Sequence, residues 1–204
     1  MALDSTRCEN IMCEIETERV QLRMFRPEDL DDLSRIFADP DVVRHIGTGQ
    51  PALRAETEFA LKSIIRHWDR HGFGRWAAVY KPTQELIGYC GLRSFNGAPE
   101  LVYLLSKDYW GKGLATEMAR AVLSYGFEEK QFERIIAMTK LDNHASQRVM
   151  RKIGMTYERN ATICDMQVVC YSLSRDSYLS NSSNHIFTLD NRQRDTEFAT
   201  RNAE

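Results

Sequence analysis

Residues 101–117 read LVYLLSKDYWGKGLATE, and this stretch decides the fold. Its first six residues are mostly apolar and predict a strand. Gly111 and Gly113 then form a turn around Lys112, and a helix pattern follows this turn. A glycine turn that leads into a helix N-terminus presents N–H groups and a partial positive charge to an anion. The residues alone leave open a tight strand-to-helix connection that binds nothing.

This turn does not match the common nucleotide-binding loops. The pattern G-x-x-x-x-G-K-[ST] is absent, which excludes a P-loop NTPase. The dinucleotide pattern G-x-G-x-x-G also fails, because Thr116 occupies the place of the last glycine.

The segments around the turn alternate between strand and helix patterns. Strands are predicted from short apolar runs and from period-two alternation at 19–25, 76–80, 86–92, 101–106, 132–139 and 166–173. Helices are predicted from Pro27 to just before Asp39, at 54–71, after the glycine turn to about Lys130, and at 144–153. The segment 94–99 is rich in turn residues. The order β-α-α-β-β-β-α-β-α-β predicts a mixed α/β sheet flanked by helices, without the regular alternation of a doubly wound fold.

Length and composition predict one domain of an ordinary globular protein. The chain has 204 residues, of which 43% are hydrophobic and 27% charged. We expect a folded domain at 17–179, a loose lead-in at 1–16 and a polar tail at 180–204. The 27 Lys and Arg against 29 Asp and Glu argue against a nucleic-acid partner. We expect no membrane span and a cytoplasmic location.

Cysteine and histidine usage gives little sign of a metal site. The five cysteines include no C-x-x-C pair, and Cys90, Cys164 and Cys170 lie in apolar runs that predict buried thiols. His67 and His71 have the i, i+4 spacing of a helical metal pair but no nearby third ligand. We therefore expect no metal cofactor.

Residues 109–117, YWGKGLATE, resemble the acetyl-CoA signature of the GNAT N-acetyltransferase superfamily, and within it the Rim-type branch that acetylates protein N-termini, including those of ribosomal proteins. The family motif Q/R-x-x-G-x-G/A falls on Trp110, Gly113 and Ala115, with Trp in place of the usual first residue. The resemblance covers about 17–179, and further matches follow in order: Leu22-Arg23-x-Phe25, Ile87-Gly88-x-x-Gly91-Leu92, Asn143-x-x-Ser146 and Lys152-x-Gly154-Met155.

The resemblance implies a GNAT-like α/β fold, with a central sheet that splays open after the strand at 101–106, and acetyl-CoA as co-substrate. Pantetheine would hydrogen-bond along the splayed strand through the main chain of Leu104 and Leu105, and one of their N–H groups would polarise the thioester carbonyl. The pyrophosphate would lie on the turn and the helix start, through Trp110, Gly111, Lys112, Gly113, Leu114, Ala115 and Thr116.

The resemblance also implies roles for Asn143 and Ser146, which lie three residues apart and share a helix face. Asn143 would contact the pantetheine arm, and Ser146 would reach the sulfur as the coenzyme thiolate departs. An alternative from the residues alone is that Asn143 caps the helix. Many relatives carry a tyrosine acid where this sequence has Met150, which favours Ser146 as the proton donor.

The expected reaction is direct attack of an amine on the thioester. An α-amine, with a pKa of about 7.7–8.0, costs roughly 1 kcal/mol to deprotonate at pH 7, whereas a lysine costs about 4–5. Glu100 matches a glutamate frequent in this branch and is the candidate base, although it could equally be a surface carboxylate. Val102 replaces a glycine that is usual in the family.

Several functions remain open at this point. The first is acetylation of a protein N-terminus, and the second is the same chemistry on a polyamine, an amino acid or an aminoglycoside. Segments 44–75 and 156–165, where the acceptor would bind, do not decide between them. An acyl-CoA-binding module without turnover and a purely structural protein are further alternatives. Both a monomer and a homodimer are compatible with the sequence.

Overall fold

The computed structural model describes residues 14–180, which form two compact units. The first contains residues 14–91 and 102–118, and the second contains residues 92–101 and 119–180. Each unit carries part of a mixed sheet, with strand order β1-β2-β3-β4-β5 in the first and β4-β5-β6-β8-β7 in the second. The strands are β1 (Ile15–Glu16), β2 (Val20–Arg23), β3 (Arg75–Tyr80), β4 (Glu85–Phe95), β5 (Ala98–Leu105), β6 (Arg134–Lys140), β7 (Thr156–Ile163) and β8 (Met166–Ser174). The helices are α1 (Leu30–Phe37), α2 (Pro40–Val43), α3 (Arg54–His71), α4 (Leu114–Ser124) and α5 (His144–Lys152), and residues 175–180 are helical as well.

In the first unit, β1 to β4 pair antiparallel, and α1 packs on α3. Helix α3 coincides with the predicted 54–71 because both of its ends have local signals. The Glu56 carboxylate accepts the N–H of Leu53 at 2.7 Å, and Gly72 closes the helix at φ +66°. The core of this unit is apolar and contains Phe25, Leu33, Ile36, Val42, Leu61, Ile64, Ala77, Leu86, Tyr89 and Leu104.

In the second unit, β5 runs parallel to β6 with Glu100 paired to Ile136. Strand β8 pairs antiparallel with both β6 and β7. Helix α5 ends as predicted, with Gly154 at φ +88° just after it. The predicted helix to about Lys130 is α4 followed by one π-helical stretch, Tyr125–Glu129.

The structure corrects several predictions. Strand β7 was not predicted, because its first five residues are exposed and polar and give no apolar face. The segment 94–99 is mostly strand: the turn consists of Asn96 and Gly97 alone, at φ +49° and +82°, which are the angles of a two-residue hairpin. Helix α2 begins immediately after Asp39, whose carboxylate accepts the N–H of Asp41 at 2.9 Å.

Cysteine burial follows the prediction at two positions of three. Cys90 and Cys170 are buried as predicted. Cys164 is exposed at the turn between β7 and β8, so the predicted burial of Cys164 was wrong. Cys8, Cys13, most of the predicted lead-in and nearly all of the predicted tail lie outside the described residues. No helix between residues 14 and 180 has the length and apolar character needed to cross a membrane.

Candidate active site

The glycine turn forms an open connection at the start of α4. Gly111 and Gly113 have φ values of +73° and +81°, a backbone region that L side chains rarely adopt. A Cβ atom on Gly111 would meet nothing within 4 Å, and residues 110–113 are exposed. The turn therefore leaves room for a ligand to approach its backbone.

The first turn of α4 supplies hydrogen-bond donors beside these glycines. The first intrahelical bond runs from the N–H of Glu117 to the carbonyl of Gly113, at 3.1 Å. The N–H groups of Leu114, Ala115 and Thr116 precede this bond and have no acceptor within the helix. Together with the Lys112 ammonium, these groups have the chemistry to bind the pyrophosphate that the family resemblance implies here.

Three residues that the sequence did not single out, Thr17, Arg19 and Glu117, form a hydrogen-bonded clamp beside the glycine turn. The Glu117 carboxylate accepts the Thr17 hydroxyl at 2.7 Å, the Arg19 backbone N–H at 2.8 Å and the Arg19 Nε at 2.8 Å. A second nitrogen of Arg19 donates to the Lys112 carbonyl at 2.9 Å. These bonds tie the strand-β2 end of the unit to both the turn and the helix start.

The clamp also sets the ionisation of Glu117. Burial on its own would raise the pKa of Glu117. The hydrogen bonds from Thr17 and Arg19, with the Arg19 charge, outweigh burial and lower that pKa overall. Glu117 is thus held as a carboxylate in the first turn of α4, next to the glycine turn.

Lys112 and Trp110 have defined neighbours. The Lys112 ammonium lies 5.2 Å from the centre of the Tyr109 ring, whose hydroxyl donates to Glu85 at 2.5 Å. The Trp110 indole N–H donates to the Leu105 carbonyl at 2.8 Å, although 46% of the Trp110 residue is exposed. Trp110 therefore fixes the turn to the last residue of β5.

The predicted main-chain residues Leu104 and Leu105 have buried side chains. Gly88 on β4 lets the backbone of β5 come close to β4, since a Cβ atom at Gly88 would lie 2.0 Å from the Leu104 carbonyl oxygen. The Leu105 carbonyl already accepts from Trp110.

Three predicted residues lie in the second unit. Glu100 is 2% exposed, so it is not a surface carboxylate, and it accepts from the Arg93 Nε at 2.5 Å. Asn143 is the N-cap of α5, and its amide oxygen accepts the N–H of Ser146 at 3.1 Å. The capping alternative for Asn143 is thus confirmed, and it engages only the oxygen of the side-chain amide. Met150 is buried in the core.

The sequence contains a turn motif that indicates the Arg93–Glu100 pair. The dipeptide Asn96-Gly97 is typical of a two-residue hairpin, which places position 93 directly opposite position 100. Within residues 14–180, no group of three His, Cys, Asp or Glu side chains is placed to hold a metal ion.

Comparison with known proteins gives a matching family and a number of similar chains. The family described as acetyltransferase (GNAT) domain matches residues 19–156. Uncharacterised protein YkkB of Bacillus subtilis is 33% identical over 174 residues, covering 83% of this chain and 99% of YkkB. Uncharacterised N-acetyltransferase p20 of Bacillus licheniformis is 30% identical over 146 residues, covering 70% and 82%. The solved RimL ribosomal L7/L12 alpha-N-protein acetyltransferase, in complex with coenzyme A, has a TM-score of 0.71 at 17% identity, covering 81% and 99%, which is a likeness of fold.

Proposed function

The chain belongs to the GNAT acetyltransferase family, whose donor is acetyl-CoA, and we propose that it transfers the acetyl group to the α-amine of a protein N-terminus. The observation that carries the choice of acceptor is the ion pair of Glu100. This buried carboxylate, the candidate base, is already bonded to Arg93 at 2.5 Å. Because the Glu100 carboxylate is already paired with Arg93, it is a weak base. The site therefore suits the α-amine, whose deprotonation at pH 7 costs the least free energy.

The donor is held, on this proposal, by main-chain groups and by Lys112. The N–H groups of residues 111–116 bind the pyrophosphate, supported by the partial positive charge of the α4 N-terminus. Trp110 keeps the turn against Leu105, and the main chain of Leu104 and Leu105 takes the pantetheine arm. The open space at Gly111 is what this approach requires.

The reaction is a direct acyl transfer. The unprotonated amine attacks the thioester carbonyl carbon, a C–N bond forms, and the C–S bond breaks with its electron pair on sulfur. Ser146 donates a hydrogen bond to the departing thiolate, whose conjugate thiol has a pKa near 8.5 and is a fair leaving group. The surplus amine proton passes to Glu100 or to solvent.

The pKa of the acceptor decides between amine classes. An α-amine is about one-tenth unprotonated at pH 7, whereas a lysine side chain is unprotonated at only about one part in 2,500. RimL, which shares this fold, is a ribosomal L7/L12 alpha-N-protein acetyltransferase. A small amine remains the second candidate, since segments 44–75 and 156–165 carry no feature that excludes it.

The test is an acceptor panel with detection of released thiol and mass analysis of the product. The panel contains a peptide with a free N-terminus and no lysine, the same peptide N-terminally blocked with one lysine added, spermidine, an aminoglycoside and free amino acids. We expect acetylation of the free N-terminus and little of the blocked peptide. A strong preference for spermidine or another small amine would replace the proposal by the second candidate. Acetyl-CoA binding without thiol release for any amine would indicate a non-catalytic binding module.

A further inference from the structure

A cavity of about 500 Å³ lies within the second unit, on the sheet face formed by β5, β6, β8 and β7. Its wall includes Phe95 at the β4–β5 turn, Met138 on β6, Cys170 on β8, and three charged side chains from β6 and β7. These three are Arg134, Glu158 and Arg159. None of the cavity-lining residues belongs to the predicted donor site.

A β-bulge brings two consecutive residues of β7 to this cavity. Tyr157 pairs with Tyr171 and Arg159 pairs with Cys170, so Glu158 is an extra residue in the ladder. In a regular strand, successive side chains point to opposite faces. Here both Glu158 and Arg159 line the cavity. Bulges of this kind re-aim side chains beside functional sites.

The charges at the cavity do not cancel. Glu158 forms an ion pair with Arg134 and accepts the Ser172 hydroxyl at 2.6 Å, so its carboxylate is already satisfied. Arg159 is exposed, and although its charge contributes to lowering the pKa of Glu158, no carboxylate of residues 14–180 forms an ion pair with it. The cavity therefore offers a guanidinium that a carboxylate of a ligand can bind with two parallel hydrogen bonds.

The candidate base lies next to one wall residue of this cavity in the sheet. Glu100 is the ladder partner of Ile136, which lines the cavity. Burial raises the pKa of the Cys170 thiol, another lining group; the Arg159 charge opposes this rise, and the charges of Glu158 and Glu100 add to it. A guanidinium on β7 thus lines the cavity, and a buried carboxylate on β5 neighbours one of its wall residues.

The spacing of the strands indicates how far apart a ligand must carry its two charges. Three interstrand spacings, of about 4.8 Å each, separate the backbones of β5 and β7. The register adds two residues along the strands, because Glu100 pairs with Ile136 whereas Arg159 lies in the row of Met138, so about 16 Å separates the two backbone positions. Because strand side chains stand roughly perpendicular to the sheet, a ligand that reaches both groups must carry its amine and carboxylate farther apart than a free amino acid does, as an extended peptide can at about 3.4 Å per residue.

We propose that this cavity binds the first residues of the acceptor peptide and that Arg159 selects acceptors with Asp or Glu at their second or third position. The inference rests on the proposed function, and it names the acceptor class. The ligand chemistry is a carboxylate near a reactive amine. Free amino acids carry the same chemistry, so the experiment separates them from peptides.

The experiment measures equilibrium binding to the full chain with saturating coenzyme A, using peptides that carry a fluorophore at the C-terminus and a free N-terminus. Two peptides differ only by Asp or Asn at position two, and free aspartate is the competitor. The variants are Arg159→Ala, Arg159→Lys and the matched control Arg151→Ala, which removes an exposed arginine from α5 outside the cavity.

We expect the wild-type chain to bind the Asp peptide about fivefold to tenfold more tightly than the Asn peptide, the worth of a partly exposed charge-assisted bond. Arg159→Ala abolishes this ratio by weakening the Asp peptide alone, Arg159→Lys keeps part of it, and Arg151→Ala leaves it intact. Equal binding of both peptides by the wild type, or competition by free aspartate at the peptide's own affinity, would overturn the inference. Because binding needs no turnover, an Arg159-dependent preference without acetylation would support the cavity and refute the proposed function.

Discussion

The guanidinium of Arg19 and the carboxylate of Glu117 meet at 2.7 Å, although 98 residues separate them in the sequence. Arg19 also donates to the carbonyl of Lys112, so one side chain joins the glycine turn to the helix that follows it. The positions of the N–H groups at the start of α4 therefore depend on a residue beside β2. We infer that this clamp preorganises the proposed donor site.

The clamp predicts a donor-specific effect for Glu117→Gln. Glutamine keeps an oxygen for Thr17 but loses the charge that holds Arg19. We expect the KM for acetyl-CoA to rise about threefold to tenfold while kcat changes by less than about twofold, since a modest loss of bound-state ordering costs about 1 kcal/mol. Glu58→Gln, which breaks the exposed pair with Lys62, is the control and should leave both constants unchanged. An unaltered KM in Glu117→Gln would show that the clamp is merely structural.

The same pair predicts a pH dependence of stability. Because the pKa of Glu117 is lowered by folding, its stabilisation is fully present above the unfolded value of about 4.3 and is lost as the pH falls through the folded value. Wild type should exceed Glu117→Gln by about 1 kcal/mol in the free energy of unfolding at pH 7, a figure reduced for the 39% exposure of the Arg19 side chain. Urea unfolding between pH 3 and 7 measures this difference. A difference that persists undiminished at pH 3 would contradict the assignment.

Asn143 permits a separation of capping from donor binding. Asn143→Asp keeps an oxygen that accepts the Ser146 N–H but removes the amide nitrogen, whereas Asn143→Ala removes both and should cost about 1 kcal/mol of stability. If Asn143 contacts the pantetheine arm, both variants should weaken acetyl-CoA binding, and only Asn143→Ala should lower the melting temperature. Wild-type affinity in Asn143→Asp would leave Asn143 as a cap alone.

Ser146→Ala tests the proposed hydrogen bond to the leaving thiolate. Its backbone N–H, which the cap uses, is retained, so the fold should persist. We expect kcat to fall about tenfold or more with an almost unchanged Kd for acetyl-CoA, because the bond is made as charge develops on sulfur. Single-turnover kinetics on the same variant measures the chemical step, and an unchanged rate would remove Ser146 from the mechanism.

The sequence is most informative where structure is decided locally. Helix α3 is predicted at roughly its observed bounds because its apolar residues recur at helical spacing, and the glycine turn is evident because its backbone angles favour glycine. Strand β7 is not predicted because an exposed edge strand carries no apolar stripe. The Arg19–Glu117 clamp escapes for another reason: a contact across 98 residues leaves no periodic trace in one sequence. The cavity depends on a bulge register that only the paired strands define.

The central claim is that the turn at the start of α4 binds acetyl-CoA, and calorimetric titration of the full chain with acetyl-CoA tests it most directly. The wild type should show saturable binding in the micromolar range. Gly113→Asp, which adds a carboxylate at φ +81°, should lose at least about tenfold in affinity through charge repulsion and backbone strain. Gly97→Asp, the same change at φ +82° in the β4–β5 turn, should bind as the wild type does. Equal affinity in all three proteins, or no saturable binding by the wild type, would contradict the donor site.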